Sequence, residues 1–172
     1  HEPQWRQTFK AHPNPFEKHT LPTLKGKAKL DAKRKAFTIE EIGTLYSAAK
    51  KQGLDTLADL IQLGGYTGAR IEELCQLRTE HLITVDGVKM LDIVDSKTVA
   101  GIRKVPVHPK LTALVDRLAK ASTDDYLVAT GSNNKYGIRS DALSKAFGRL
   151  KTTMGFDRTR VFHSIRATVI TS

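Results

Sequence analysis

The sequence predicts an α+β domain, mainly helical, with a small three-stranded antiparallel sheet. Three observations lead there. Apolar residues recur at helical spacing in several stretches from Thr38 onward. After His81 the pattern changes to short extended runs on either side of the turn pair Asp86-Gly87. With 172 residues, of which 40% are hydrophobic, the chain can bury one core without disulfides or a structural metal.

Residues 1–36 differ from the rest. Pro3, Pro13, Pro15 and Pro22 interrupt any long helix, and a basic run extends from Lys25 to Lys35. We read this segment as an interdomain linker or basic arm. Lys25, Lys27, Lys29, Lys33, Arg34 and Lys35 would lie along a phosphate backbone, since so dense a cluster repels itself without an anion. The plainer alternative is a solvated charged tether. Residues 37–172 form the globular part. Thr38 followed by Glu41 is a capping box opening a helix to about Lys51. A second helix fits Leu54 to Leu63, with Leu57, Leu60 and Ile61 on one face, and Gly64-Gly65 should weaken it. Thr67-Gly68 marks a turn, and Arg70 to Leu77 reads as a third helix. Strands are expected over Leu82–Val85, Val88–Val94 and Arg103–Val107. Pro109 opens a helix that buries Leu111, Leu114, Val115 and Leu118. Tyr126-Leu127-Val128 is a short extended piece. Another helix runs from about Ser140 to Thr153 and ends at Gly155, and the second half of Val161–Ser172 should be helical.

Charge narrows the partners. Lys and Arg number 28 against 18 Asp and Glu, a formal net charge of +10. A polyanion is the natural partner, although anionic membranes and acidic proteins attract the same excess. Cys75 stands alone, so no intrachain disulfide can form, and its amphipathic setting predicts a small buried thiol. No apolar run reaches membrane-spanning length and no secretory signal is present, which makes a reducing cytoplasm the expected location. The six histidines form no metal-binding pair at helical spacing, so neither a metal nor another cofactor is expected.

Three basic patches carry chemistry. In Thr67-Gly68-Ala69-Arg70-Ile71-Glu72-Glu73-Leu74, a glycine turn presents Arg70 near a helix start, where free amides favour an anion. Glu73, three residues on, reaches the same face. Alone, this could be a surface ion pair contributing about 0.3–0.5 kcal/mol. In the second patch, Asp95 to Val107, Lys97 stands at a hairpin tip where it is either solvated or aimed at a leaving group as a proton donor. The third is Phe162-His163-Ser164-Ile165-Arg166. On a helix His163 and Arg166 project side by side while Phe162 and Ile165 bury the opposite side, giving either a phosphate clamp or a core histidine beside a surface arginine.

The order of these patches resembles the catalytic domain of the tyrosine recombinases, the family of phage integrases and chromosome-dimer-resolving recombinases. Thr-Gly-x-Arg-x-x-Glu-Leu matches at Thr67–Leu74, Lys-Thr followed by Arg-x-Val-Pro at Lys97, Thr98, Arg103, Val105 and Pro106, and His-x-x-Arg at His163–Arg166. Asn14-Pro15-Phe16 resembles that family's interdomain linker. The resemblance implies a tyrosine-recombinase-like fold and a site-specific DNA recombinase of phage or prophage type, acting through a 3′-phosphotyrosyl intermediate. It implies that Arg70 and Arg166 hold the phosphate, Lys97 protonates the departing 5′ oxygen, His163 assists, and Glu73 supports Arg70. Arg103 would contact DNA. The partner would be double-stranded attachment-site DNA, bound by a homotetramer of the full-length protein. The four tyrosines, Tyr46, Tyr66, Tyr126 and Tyr136, all precede the His-x-x-Arg box, and Tyr66 suits a packing role. The nucleophilic tyrosine is therefore expected outside this chain, which would be inactive and monomeric alone. A non-catalytic DNA-binding module, a metal-dependent nuclease and a type IB topoisomerase are the alternative classes.

Overall fold

The computed structural model describes residues 33–94, 101–132 and 135–171. The first helix, α1 (Ile39–Lys51), starts where the capping box predicts. The Glu41 amide donates to the Thr38 hydroxyl at 3.2 Å, and the Thr38 amide donates to the Glu41 carboxylate at 2.8 Å. Leu45 and Ala49 form its buried face.

The second helix, α2 (Asp55–Thr67), departs from expectation. It runs straight through Gly64-Gly65 and stops only at Gly68, which takes the left-handed conformation with φ 60°. Tertiary packing overrides the poor helix propensity. A Cβ on Gly64 would lie 2.9 Å from Phe162 Cζ, so the glycine lets the Phe162 ring sit against the helix backbone. Gly64→Ala should therefore destabilise the domain by about 1 kcal/mol net. Overpacking costs about 1–3 kcal/mol, and better helix propensity returns up to about 1 kcal/mol. Gly65→Ala, whose Cβ would meet Ile42 Cγ2 at an ordinary 3.5 Å, should be neutral or stabilising. Denaturant midpoints at constant slope measure both; equal effects at the two positions would contradict the packing argument.

Helix α3 (Ile71–Gln76) leads through a short 3₁₀ turn into β1 (Leu82–Val85) and β2 (Val88–Ile93). Asp86 and Gly87 join the strands with φ of 49° and 77°, as a two-residue hairpin with positive φ at both positions requires. The third strand, β3 (Arg103–Pro106), pairs antiparallel with β2, giving the order β1-β2-β3. Helix α4 (Pro109–Ala121) follows, with the ring nitrogen Nδ1 of His108 accepting from the Lys110 amide at 3.1 Å. The extended piece at Tyr126 is held by a bridge to Arg78, and the Leu127 amide donates to Leu77 O at 2.8 Å. Helix α5 (Asp141–Thr153) ends before Gly155, which has φ 83°.

The last helix, α6 (His163–Thr171), begins earlier than the β-branched sequence predicts. Its buried residues explain why. Phe162 and Ile165 are 5% and 0% exposed, and the Phe162 ring packs edge-on against Phe147 at 5.3 Å. Phe37 joins Phe147 at 6.2 Å and Phe156 at 5.3 Å, so one aromatic cluster ties the start of the domain to α5 and α6. The result is a mainly helical α+β domain with one small antiparallel sheet, as the sequence predicts.

Candidate active site

Arg70 is the N-cap residue of α3, directly after the Gly68 turn. Glycine is needed at 68 for two reasons: its positive φ, and the closeness of α6, since a Cβ there would meet Val169 Cγ1 at 3.3 Å. The turn and α6 thus lie against each other. Arg166, on α6, donates from Nη1 to Gly68 O at 2.5 Å, two residues before Arg70.

The centre of the cluster is Glu73, only 4% exposed. Its Oε1 accepts from Arg70 Nη1 at 2.6 Å, and its Oε2 accepts from the Arg70 amide at 2.9 Å and from Arg103 Nη2 at 3.2 Å. The Arg70 amide donates to the helix's own Glu73 carboxylate, so this one helix-start amide is taken up within the chain. Arg103 Nη1 donates to Gly101 O at 2.7 Å. Arg166 is held below the usual arginine range, first by burial and then by the charges of Arg103 and Arg70, with Glu73 acting in the opposite sense. Arg70 and Arg103 thus share one buried carboxylate, with Arg166 bonded to the Gly68 carbonyl two residues before Arg70.

The other expected site residues are distributed differently. His163 is exposed at the start of α6, one turn before Arg166 on the same helix. Lys97, Lys25, Lys27 and Lys29 lie outside the described residues. Lys33, Arg34 and Lys35 are exposed, and the last two are tied to the segment before α6. Arg34 Nη1 donates to Arg158 O at 3.0 Å, the Lys35 amide donates to Thr159 O at 3.3 Å, and Lys35 Nζ lies 3.7 Å from the Asp157 carboxylate. Sequence reasoning placed Arg103 on DNA and missed its bond to Glu73. The signal that could have found it was the alternation Arg103-x-Val105-x-Val107, which puts the arginine on the apolar side of a strand.

The cation cluster rests on a braced support. Glu72 accepts from the amides of Arg139 and Ser140 at 3.0 and 2.9 Å and from Gln76 Nε2 at 2.9 Å, tying the segment before α5 to α3. Burial raises its carboxyl's affinity for a proton, but the bonds from Ser140, Arg139 and Gln76 outweigh it and hold the group below the usual range. Cys75, fully buried as expected, has its thiol pushed up to about 12 by burial and then by the charge of Glu72.

Tyr126 is sandwiched between the guanidinium groups of Arg139 and Arg78, 3.4 and 4.7 Å from its ring centroid, and its hydroxyl accepts from Arg78 at 3.1 Å. Tyr66, expected in a packing role, is 39% exposed and packs at the surface. It stacks on His108 with ring centroids 4.8 Å apart, at the edge of an open apolar groove of about 460 Å³ between α1, α2 and α6. Tyr46 lines the same groove, and Tyr136 is 73% exposed. Among the described residues no group of three or more His, Cys, Asp or Glu could hold a metal, and no helix is long and apolar enough to cross a membrane.

Comparison with known proteins agrees with this fold. The model of the phage integrase family matches residues 35–172. Among solved structures, the chain is similar to a lambda integrase tetramer bound to a Holliday junction, with a TM-score of 0.63 and 18% identity, covering 96% of this chain and 49% of that one. It is similar to the lambda integrase catalytic core, with a TM-score of 0.58 and 21% identity over 79% and 81% of the two chains. A third likeness is to the Tn1549 transposon integrase in complex with circular intermediate DNA, with a TM-score of 0.60 and 20% identity over 97% and 62%. The chain spans about half the length of the first of these structures. No curated protein matches it.

Proposed function

Because the chain belongs to the phage integrase family and has the tyrosine-recombinase catalytic fold, we propose that it is the phosphate-holding part of a site-specific DNA recombinase of phage or prophage type. The observation that supports this most is that Arg70 and Arg103 share buried Glu73 while Arg166, 96 residues after Arg70, bonds the Gly68 carbonyl two residues before Arg70. Arg70 and Arg166 would each offer planar donors to the non-bridging oxygens of a scissile phosphate. There they would stabilise the charge that grows on those oxygens in the transition state.

The reaction is a transesterification. A tyrosine hydroxyl attacks phosphorus, the bond to the 5′ oxygen breaks, and a 3′-phosphotyrosyl link keeps the bond energy. Lys97 would give its proton to the leaving 5′ oxygen, and His163 would assist proton transfer or donate to the phosphate. A 5′-hydroxyl from a partner strand reverses the step. None of Tyr46, Tyr66, Tyr126 and Tyr136 follows the His163–Arg166 box, so none of the four is proposed as the nucleophile. The chain alone would then bind DNA as a monomer without cutting it, and the whole protein would assemble as a tetramer on paired sites. Residues 1–36 would serve as the arm along the backbone, and the setting would be the bacterial cytoplasm, at the nucleoid.

The test measures binding of this chain to a short duplex at several salt concentrations. Arg70→Ala and Arg166→Ala should each lower the log–log salt slope by about 0.9 and weaken binding by less than about tenfold. Folded variants with unchanged slope and affinity would overturn the assignment.

A further inference from the structure

Arg103 belongs to the Arg-x-Val-Pro stretch, yet its place in the fold is not that of a surface cation. Along β3, Lys104 and Pro106 are exposed while Arg103 and Val105 are half-buried. The register sets Arg103 opposite Ile93 and Val105 opposite Leu91, and those two partners are 2% and 0% exposed. Arg103 is thus on the core side of the sheet, where a charged group is costly unless its donors are engaged. They are: Nη2 reaches Glu73 Oε2 and Nη1 reaches Gly101 O. The same Glu73 binds Arg70 twice, at the guanidinium and at the amide.

A carboxylate gripped this way has a defined plane. Arg103 pulls on Oε2 from the sheet side, which leaves Oε1 aimed at Arg70 Nη1. Building on the phosphate-site reading above, we propose that Arg103 is a positioning residue: through Glu73 it sets the direction of the Arg70 guanidinium, and its effect on DNA runs through Arg70 rather than through a phosphate contact of its own. It also joins the sheet to α3, because one planar fork spans both Glu73 and the carbonyl at the start of β3. A lysine at 103 could keep the charge but could not hold both acceptors in one plane.

The experiment compares Arg103→Gln, Arg103→Lys and Arg70→Ala, singly and with the Arg103 changes placed in the Arg70→Ala background. Two readouts are used: affinity for a short duplex, and the guanidinium ¹⁵N–¹H signal of Arg70 in the DNA-free chain. Arg103→Gln should weaken binding about threefold in the wild-type background and not measurably in the Arg70→Ala background. It should shift or broaden the Arg70 signal, and Arg103→Lys should restore that signal only in part. If Arg103→Gln fails to fold, the Lys variant supports the same comparison.

A full multiplicative loss in the Arg70→Ala background would make Arg103 a direct phosphate ligand and overturn the proposal. So would an Arg70 signal that neither substitution disturbs. If Arg70→Ala alone left DNA binding unchanged, the phosphate-site reading would fall first, and the proposal with it.

Discussion

Arg166→Ala should reduce DNA strand cleavage by about 10²–10³-fold or more in a cleavage-competent protein that contains this domain, while DNA affinity falls less than about tenfold. The asymmetry follows from the proposed role. Affinity for a duplex is shared among many phosphate contacts across a chain of net charge +10. Charge growth on one phosphate in the transition state is met by a few aimed donors only. Arg166 is well placed for that task because its own hydrogen bond goes to a backbone carbonyl, Gly68 O, which anchors the side chain without neutralising it. Formation of the covalent DNA–protein adduct on a nicked substrate measures cleavage, and titration of the same duplex measures binding. Parallel loss of both would favour a binding module without catalysis, and cleavage within a few-fold of wild type would remove Arg166 from the mechanism.

The second large effect is on stability. Glu73→Ala should cost about 3 kcal/mol, because it leaves Arg70 and Arg103 facing each other without the buried carboxylate between them. The figure is at the low end for breaking a buried pair, since the Arg70 and Arg103 side chains keep 35% and 26% of their exposure and water can reach them in part. The loss also includes the helix cap, as the Arg70 amide loses its acceptor. Urea unfolding followed by circular dichroism gives the value. A change below about 0.5 kcal/mol would mean that Glu73 is not the counter-ion holding the cluster together.

Much of the architecture could be read from local pattern. The capping box at Thr38 and Glu41, the Asp86-Gly87 hairpin and the proline at the start of α4 each depend on residues within four positions of one another. Their hydrogen bonds join near neighbours in the sequence, so the preference for them is written locally. The motif order was also legible, and Arg70, Glu73 and Arg166 meet in space. Less legible were the features that depend on a distant partner. Gly64-Gly65 looks like a helix breaker until Phe162 is seen against it, and the strong β-branching of α6 looks unfavourable until Ile165 is buried. Tyr66 was expected to pack, but its partner, His108, lies 42 residues away and has no local signature.

What the sequence by itself determined is the set of helices and strands, the cationic character of the chain, and the residues proposed to bind a phosphate. Periodicity, turn chemistry and charge count are properties of neighbouring residues or of simple sums. What only the tertiary structure decided is which cations share a counter-ion. Arg103 is 30 residues from Glu73 and reaches it only because the β2–β3 register turns it toward the core. A salt bridge of that span has no local signature, since its energy depends on a distance that exists only once the sheet and α3 have packed.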